Sequence, residues 1–404
     1  MIPFSPPRID KRVIDEVTKA LESGWITTGP RTKEFEKKIS AYCGVEHTVA
    51  VSSWTAGMEV MLRWLGITEG DEVILPAYTY CASANVILHC GAKPVMVDLN
   101  TSDFNISVDA IRKAITPRTK AVMGVDIGGF PCDYDEIYNL VNEEGIRSQF
   151  IPGNEIQKQL GRIAVLSDAA HSFGAKYKGR TSGSLADITV FSFHAVKNLT
   201  TAEGGAICLN MPSPFDNEQI YKDLCIKILH GQSKDALAKT QKGNWRYDVV
   251  EPGFKCNMTD IQAAIGLIEL ERYDSENLPR RKEIFDRYEN GFKNDSWAIL
   301  PPHTTEEKTS SYHLYLLRID NITEGERDRI MQEIFDQDVS VNVHFQPLPI
   351  LTAYKNLGYL IEDFPETWNK YHNEISLPVY YDLSDEQVDQ VIGAVKRAVH
   401  QVKG

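Results

Sequence analysis

The chain has 404 residues, 42% of them hydrophobic and 25% charged, the balance of a globular protein too long for one simple core and suited to two domains. A formal net charge of −13 argues against non-specific nucleic-acid binding, while leaving room for a small anion in a local site. No run approaches the ~20 apolar residues of a membrane helix, and Met1 to Asp10 shows no signal-peptide pattern; the expected location is the cytoplasm.

Residues 9–22 carry Ile9, Val13, Val17 and Leu21 on one helical face, and Ser23-Gly24 closes that helix. A loop over 25–30 leads to a second helix over 32–42. Strands are then expected at 48–52, 73–77, 94–98, 120–127, 163–168, 188–193 and 205–209, with helices at 55–66, 81–90, 107–115 and 133–145. Near-continuous apolar strands alternating with helices predict a mostly parallel seven-stranded sheet covered on both faces, an α/β architecture whose ligands bind beyond the carboxyl ends of the strands. Residues 147–162 interrupt the rhythm, and Pro152-Gly153 marks a surface excursion. A long helical stretch over 259–294, broken near Leu278-Pro279, precedes strands at 312–319 and 339–345 and a last helix at 384–402. The expected division is a large domain over 1–260 and a smaller α+β domain over 261–404.

Seven cysteines (Cys43, Cys81, Cys90, Cys132, Cys208, Cys225 and Cys256) include no CxxC pair and sit mostly in apolar runs. Buried free thiols are expected rather than zinc ligands, and no metal site is expected.

Chemistry concentrates at three strand ends. Lys197 follows the strand ending Phe191-Ser192-Phe193 and precedes the turn into Gly204-Gly205. A lysine there can form a Schiff base if burial helps it lose its proton. Asp168 ends an earlier strand; alone it reads equally as a helix cap, but with Lys197 it can pair with the protonated ring nitrogen of pyridoxal phosphate (PLP). His171 lies within reach of the same ring, although a packed histidine is as good a reading. Ser52 to Gly57 opens a helix with small residues, a phosphate site or a plain N-cap, and lacks the nucleotide P-loop pattern. Tyr80 sits where an aromatic can stack on a flat ring or fill a core. No GxSxG, HExxH or strand-borne GxGxxG competes, and Gly128-Gly129 reads as a turn.

Taken together, the segments at 24–30 (GWITTGP), 52–58 (SSWTAGM), 70–80 (GDEVILPAYTY), 167–179 (SDAAHSFGAKYKG), 191–207 (FSFHAVKNLTTAEGGAI), 253–266 (GFKCNMTDIQAAIG) and 343–348 (VHFQPL) resemble the DegT/DnrJ/EryC1/StrS family of PLP-dependent nucleotide-sugar aminotransferases, of PLP fold type I. The resemblance implies that Lys197 is the Schiff-base and proton-transfer lysine, that Asp168 pairs with the pyridinium, that Tyr80 stacks on it, and that Thr55, Ala56 and Ser192 hold the phosphate. It puts His171 near the ring's 3-oxygen, and Thr28, His194, Tyr312 and His344 at the sugar. Lys255 stands where many relatives have Asn and would reach the phosphate of the neighbouring site, which implies a homodimer with shared active sites. The implied reaction takes an amino group from glutamate to a nucleotide-linked keto sugar, with the 4-keto position favoured by Lys255. The amino sugar would serve glycan, lipopolysaccharide or antibiotic biosynthesis. A 3-keto aminotransferase, a sugar dehydrase (which would carry His in place of Lys197) and a PLP-binding regulator are the alternatives. Two departures from the family bear on the substrate. Trp54 replaces a small residue, and the longer 147–162 segment, whose residues read first as a plain surface loop, has as its alternative a role in lining or shielding the sugar pocket.

Overall fold

The computed structural model describes residues 1–233 and 246–403. Its centre is a seven-stranded sheet built from β1 (His47–Val51), β2 (Glu72–Pro76), β3 (Lys93–Val97), β4 (Thr119–Val125) and β5 (Ala164–Asp168), joined, after the small hairpin β6 (Lys176–Tyr177) and β7 (Arg180–Thr181), by β8 (Ile188–Ser192) and β9 (Gly205–Leu209). The spatial order is β1-β9-β8-β5-β4-β2-β3. The four contacts from β3 through β2, β4 and β5 to β8 are parallel, and β9 alone runs antiparallel to both its neighbours. All seven strands stand within two residues of their predicted positions, because each is an apolar run, and β2, β4, β5 and β9 are buried on both faces.

Helices cover the two faces. Trp54–Trp64 and Cys81–His89 pack on one side, around Met58, Met61, Val86 and Ile87, and Tyr134–Asn142 on the other, around Tyr134, Ile137 and Leu140. The predicted helix over 259–294 is two helices, Asp260–Glu271 and Leu278–Phe292, separated by a wide turn over Tyr273–Asn277. Pro279 does not break a helix; it lies in the first turn of the second, where its missing N–H costs no bond. The first of the pair packs on the helices Lys11–Glu22 and Pro30–Cys43. Asp260 joins them by accepting from the amides of Gly29, Arg31 and Thr32 at 2.8, 3.0 and 3.0 Å. Residue 260 therefore opens a helix that continues the packing of the chain before it.

A second sheet is formed by β10 (Ala298–Ile299), β12 (Tyr315–Ile319) and β13 (Glu374–Leu377) in the order β10-β12-β13, while β11 (Lys308–Thr309) pairs with β6. The helices Leu278–Phe292, Glu324–Phe335 and Asp385–Lys403 enclose a core with this sheet, and Ile2 joins that core from the other end of the sequence. The strand expected at 339–345 is not formed. Val339 bridges Ile2, Asn342 bridges Ser376, and the chain then leaves the sheet because the Glu374 carboxylate, not a strand carbonyl, accepts from the His344 amide at 3.1 Å. No helix among the described residues is long and apolar enough to cross a membrane.

Candidate active site

The carboxyl ends of β5 and β8 open into a cavity of about 350 Å3 lined by Asp168, Ser192 and Lys197, a volume in the range of small-molecule sites. Burial sets the chemistry. It lowers the Lys197 ammonium to about 8, against the opposing pull of the Asp168 charge. It raises Asp168 to about 6, while hydrogen bonds from Ser83 Oγ (2.7 Å to Oδ2) and the Ala170 amide (3.2 Å to Oδ1) pull the other way. A cation brought against this carboxylate would restore its ionised form. An amine that deprotonates easily and a buried acid awaiting a cation thus share one chamber.

The Lys197 loop, residues 193–204, is closed at its base by Phe193 N–H donating to Gly204 O and Thr201 N–H to Phe193 O, each at 2.9 Å. Asn198 ties it to the distant segment at 311–313: its amide donates to Ser311 O at 2.7 Å and its Oδ1 meets His313 Nδ1 at 2.8 Å. That segment lies over Gly128-Gly129, where Ser311 N–H donates to Gly129 O. A Cβ on Gly129, whose φ is +92°, would fall 2.1 Å from Ser311 Oγ, so glycine is required for this close approach.

Ser53, Trp54 and Thr55 form the opposite wall at the start of the helix Trp54–Trp64. Ser53 Oγ caps the Ala56 amide at 3.1 Å, and first-turn N–H groups left without helical partners suit a phosphate. A Cβ on Gly205 would stand 2.8 Å from both Ser53 C and Trp54 N; its absence lets β9 lie against this helix end. Tyr80 keeps 60% of its surface exposed at the cavity and faces Phe345, ring centres 5.7 Å apart. His171 is buried, accepts from the Gly128 amide at Nδ1 (3.3 Å) and therefore carries its proton on Nε2. Its imidazolium form is held far below the usual range by burial and by Lys197. An amine, a carboxylate, a helix N-terminus and flanking rings in one chamber fit the cofactor expected from the sequence.

Lys197, Asp168, His171, Ser192, Tyr80, Thr55, His194 and His344 thus line one cavity, with Ala56 in the same first helical turn as Thr55. Three other expected residues lie elsewhere. Tyr312 is 2% exposed and packs edge-on against Phe285 at 5.2 Å; its neighbours His313 and Leu314 reach the cavity instead. Lys255 binds Asn257 Oδ1 at 2.5 Å, and Asn257 donates to Thr28 Oγ1 at 2.6 Å, so Lys255 and Thr28 form a cluster of their own outside the chamber of their chain. No residue of the 147–162 segment lines the cavity of its own chain. Asn154 and Gln157 donate to Leu65 O at 3.0 and 2.9 Å, which fastens it to the far end of the helix that begins at Trp54. Sequence reasoning missed Ser83, His313, Phe345 and Phe4. Ser83 had a legible signal, one helical turn after Tyr80; the others come together only through tertiary contacts.

The sequence profile of the DegT/DnrJ/EryC1/StrS aminotransferase family matches residues 7–149 and 154–396, breaking only within the 147–162 excursion. The spore coat polysaccharide biosynthesis protein SpsC of Bacillus subtilis is 39% identical over 402 residues, 98% of this chain and 97% of SpsC. The putative sugar aminotransferase Spr1654 from Streptococcus pneumoniae, in its PMP form, has a TM-score of 0.95 and 48% identity over 100% of both chains. Its PLP form gives 0.94 and 47% over 99% of each. PseC of Helicobacter pylori, an aminotransferase involved in the biosynthesis of pseudoaminic acid, is 26% identical with a TM-score of 0.85 over 99% of each chain. With the family profile spanning nearly its whole length, the chain belongs to the DegT/DnrJ/EryC1/StrS aminotransferase family and is an aminotransferase.

Proposed function

We infer that this protein is a PLP-dependent aminotransferase of a nucleotide-linked keto sugar, acting at the 4-keto position with glutamate as donor. The observation that carries the reading is the Lys197 amine, lowered to about 8 by burial, in one cavity with the buried Asp168 carboxylate. The PLP and PMP forms of Spr1654 support the cofactor, and the names of Spr1654 and PseC support a sugar substrate. Bound PLP supplies an electrophilic aldehyde and an electron-withdrawing ring. Lys197 would hold it covalently, and its free amine would carry the proton that moves during amino transfer. Asp168 would keep the ring nitrogen protonated. The first turn at Thr55 and Ala56, with Ser192, would take the phosphate; Tyr80 would cover the ring and His171 would offer Nε2–H to its 3-oxygen. His194 and His344 face the sugar.

We assign cofactor binding to the unit over residues 1–260 and treat 261–404, whose first helix Asp260–Glu271 still packs on that unit, as the smaller one; its His344 completes the chamber. Lys255 and Thr28 lie outside their own chain's cavity, which supports their donation to a partner's site in a cytoplasmic homodimer. The test is a screen of nucleotide-linked 3-keto and 4-keto sugars with glutamate, scored by the mass of the amine product, with Lys197→Ala as the inactive control. Amination of a 4-keto sugar is expected. Turnover by the alanine variant, or no amine from any sugar, would overturn the assignment.

A further inference from the structure

His344 has a buried chain of polar groups behind it. Its Nδ1 meets Ser376 Oγ at 3.0 Å, and Ser376 Oγ donates to Glu374 Oε1 at 2.6 Å. Glu374 and Ser376 are both 0% exposed, on β13. The second carboxylate oxygen of Glu374 accepts from the His344 amide at 3.1 Å, so Oε1 is the oxygen left to bind a proton. With Nδ1 engaged behind, Nε2 is the nitrogen left for the cavity that His344 lines.

We propose that Ser376 and Glu374 form a buried proton wire behind His344, which decides whether Nε2 presents a lone pair or a proton to an oxygen of the sugar substrate. The sugar as the recipient rests on the function inferred above. When Glu374 is ionised, Ser376 donates to it, His344 Nδ1–H donates to Ser376, and Nε2 is bare. When Glu374 is protonated, Oε1–H donates to Ser376, Ser376 donates to Nδ1, and Nε2 carries the proton. The two states interconvert with full proton balance. Nε2 takes a proton from the sugar hydroxyl, the Nδ1 proton passes to Ser376 Oγ, and the serine proton passes to Glu374; the reverse delivers a proton to a carbonyl oxygen. Ser376 and Glu374 are positioning residues here, and His344 makes the contact.

The surroundings suit a wire that runs at neutral pH. Burial raises Glu374 to about 8 against its two hydrogen bonds and the charge of Arg327. The Arg327 guanidinium binds the carbonyls of Tyr371 and Glu374 and the carboxylate of Asp328, and Tyr78 faces Glu374 from beyond β2. Lys197 faces His344 across the cavity, with His171 and His313 beside it. Burial and Lys197 lower His344 to about 4, so it stays neutral while Glu374 titrates.

Nitrogen NMR of the full-length protein labelled in histidine, with His344 identified by its loss in His344→Asn, reads the tautomer directly. As pH rises through about 8, the His344 Nε2 signal should change from protonated to lone-pair type and Nδ1 should do the opposite. In Glu374→Gln the amide nitrogen faces Ser376, so Nε2–H should persist at every pH. Ser376→Ala should abolish the coupling. In the sugar half-reaction, Glu374→Gln should slow by about a hundredfold or more, the low end of general acid–base effects, and should keep only the inflection of Lys197, which also lies near 8. A pH-invariant His344 tautomer in the wild type sinks the wire, even if a variant fails to fold. So does a Glu374→Gln protein whose His344 tautomer at each pH and whose half-reaction rate match the wild type. A wild-type protein that aminates no keto sugar would sink the inferred function instead, and leaves the NMR result to judge the wire.

Discussion

Lys197 is costly to place where it is. A lysine whose ammonium is lowered from 10.5 to about 8 binds fewer protons folded than unfolded between those values. Its burden on the fold is full below 8 and is relieved as pH climbs towards 10.5. Lys197→Met should therefore stabilise the cofactor-free protein against urea at neutral pH, and the gain should shrink in alkaline buffer; an equal gain at all pH would contradict the buried-ammonium account. The same shift makes the amine a better nucleophile. Capture of PLP by cofactor-free protein, followed by the absorbance of the bound cofactor, should rise with pH about a midpoint near 8. A midpoint close to the ordinary lysine value of about 10.4 would show that burial does not set it.

Two elements pack on opposite ends of the helix Trp54–Trp64, whose start forms one wall of the chamber. The first is the contact of β9 with the start of the helix Trp54–Trp64, which exists because Gly205 has no side chain. Gly205→Ala would press a methyl to within 2.7 Å of Phe191 O and 2.8 Å of Ser53 C and Trp54 N, all backbone atoms. Overpacking of this kind costs about 1–3 kcal/mol, and denaturant midpoints should fall accordingly, with weaker PLP retention because the phosphate wall moves. The second is the 147–162 excursion, whose length beyond the family pattern offered it as a shield for the sugar. Its bonds from Asn154 and Gln157 to Leu65 O fasten it to the opposite end of that helix. Asn154→Ala with Gln157→Ala should lower stability, each lost bond costing about 0.5–1.5 kcal/mol, and leave the ranking of sugar substrates as it was. A changed ranking in the substrate screen would return the segment to the pocket.

At the scale of the whole molecule, the architecture is PLP fold type I, and the proposed dimer makes each site a joint product. Lys197→Ala and Lys255→Ala proteins, each impaired alone, should regain activity when unfolded together and refolded. One of the two sites in a mixed dimer then has both lysines, whereas a site complete within one chain would gain nothing from mixing. Much of this was legible beforehand. The seven strands, the chain of strand-end residues Asp168, Ser192 and Lys197, and the covering helices follow from apolar runs of strand length punctuated by polar turns, a local property that burial on both faces enforces. What sequence could not decide was contact between segments far apart in the chain. The alternation at 339–345 reads as a strand, yet a buried carboxylate at Glu374 takes the His344 amide and turns the segment into the cavity wall. Tyr312 and His313 are adjacent, and only the docking of residues 311–313 on Gly128-Gly129 sends the histidine to the site and the tyrosine to the core. Local pattern determined the sheet and the ligand-facing ends of its strands, because each strand buries its own side chains. The tertiary structure alone chose which distant residues complete the chamber, because that choice depends on which buried polar groups find partners when the layers close.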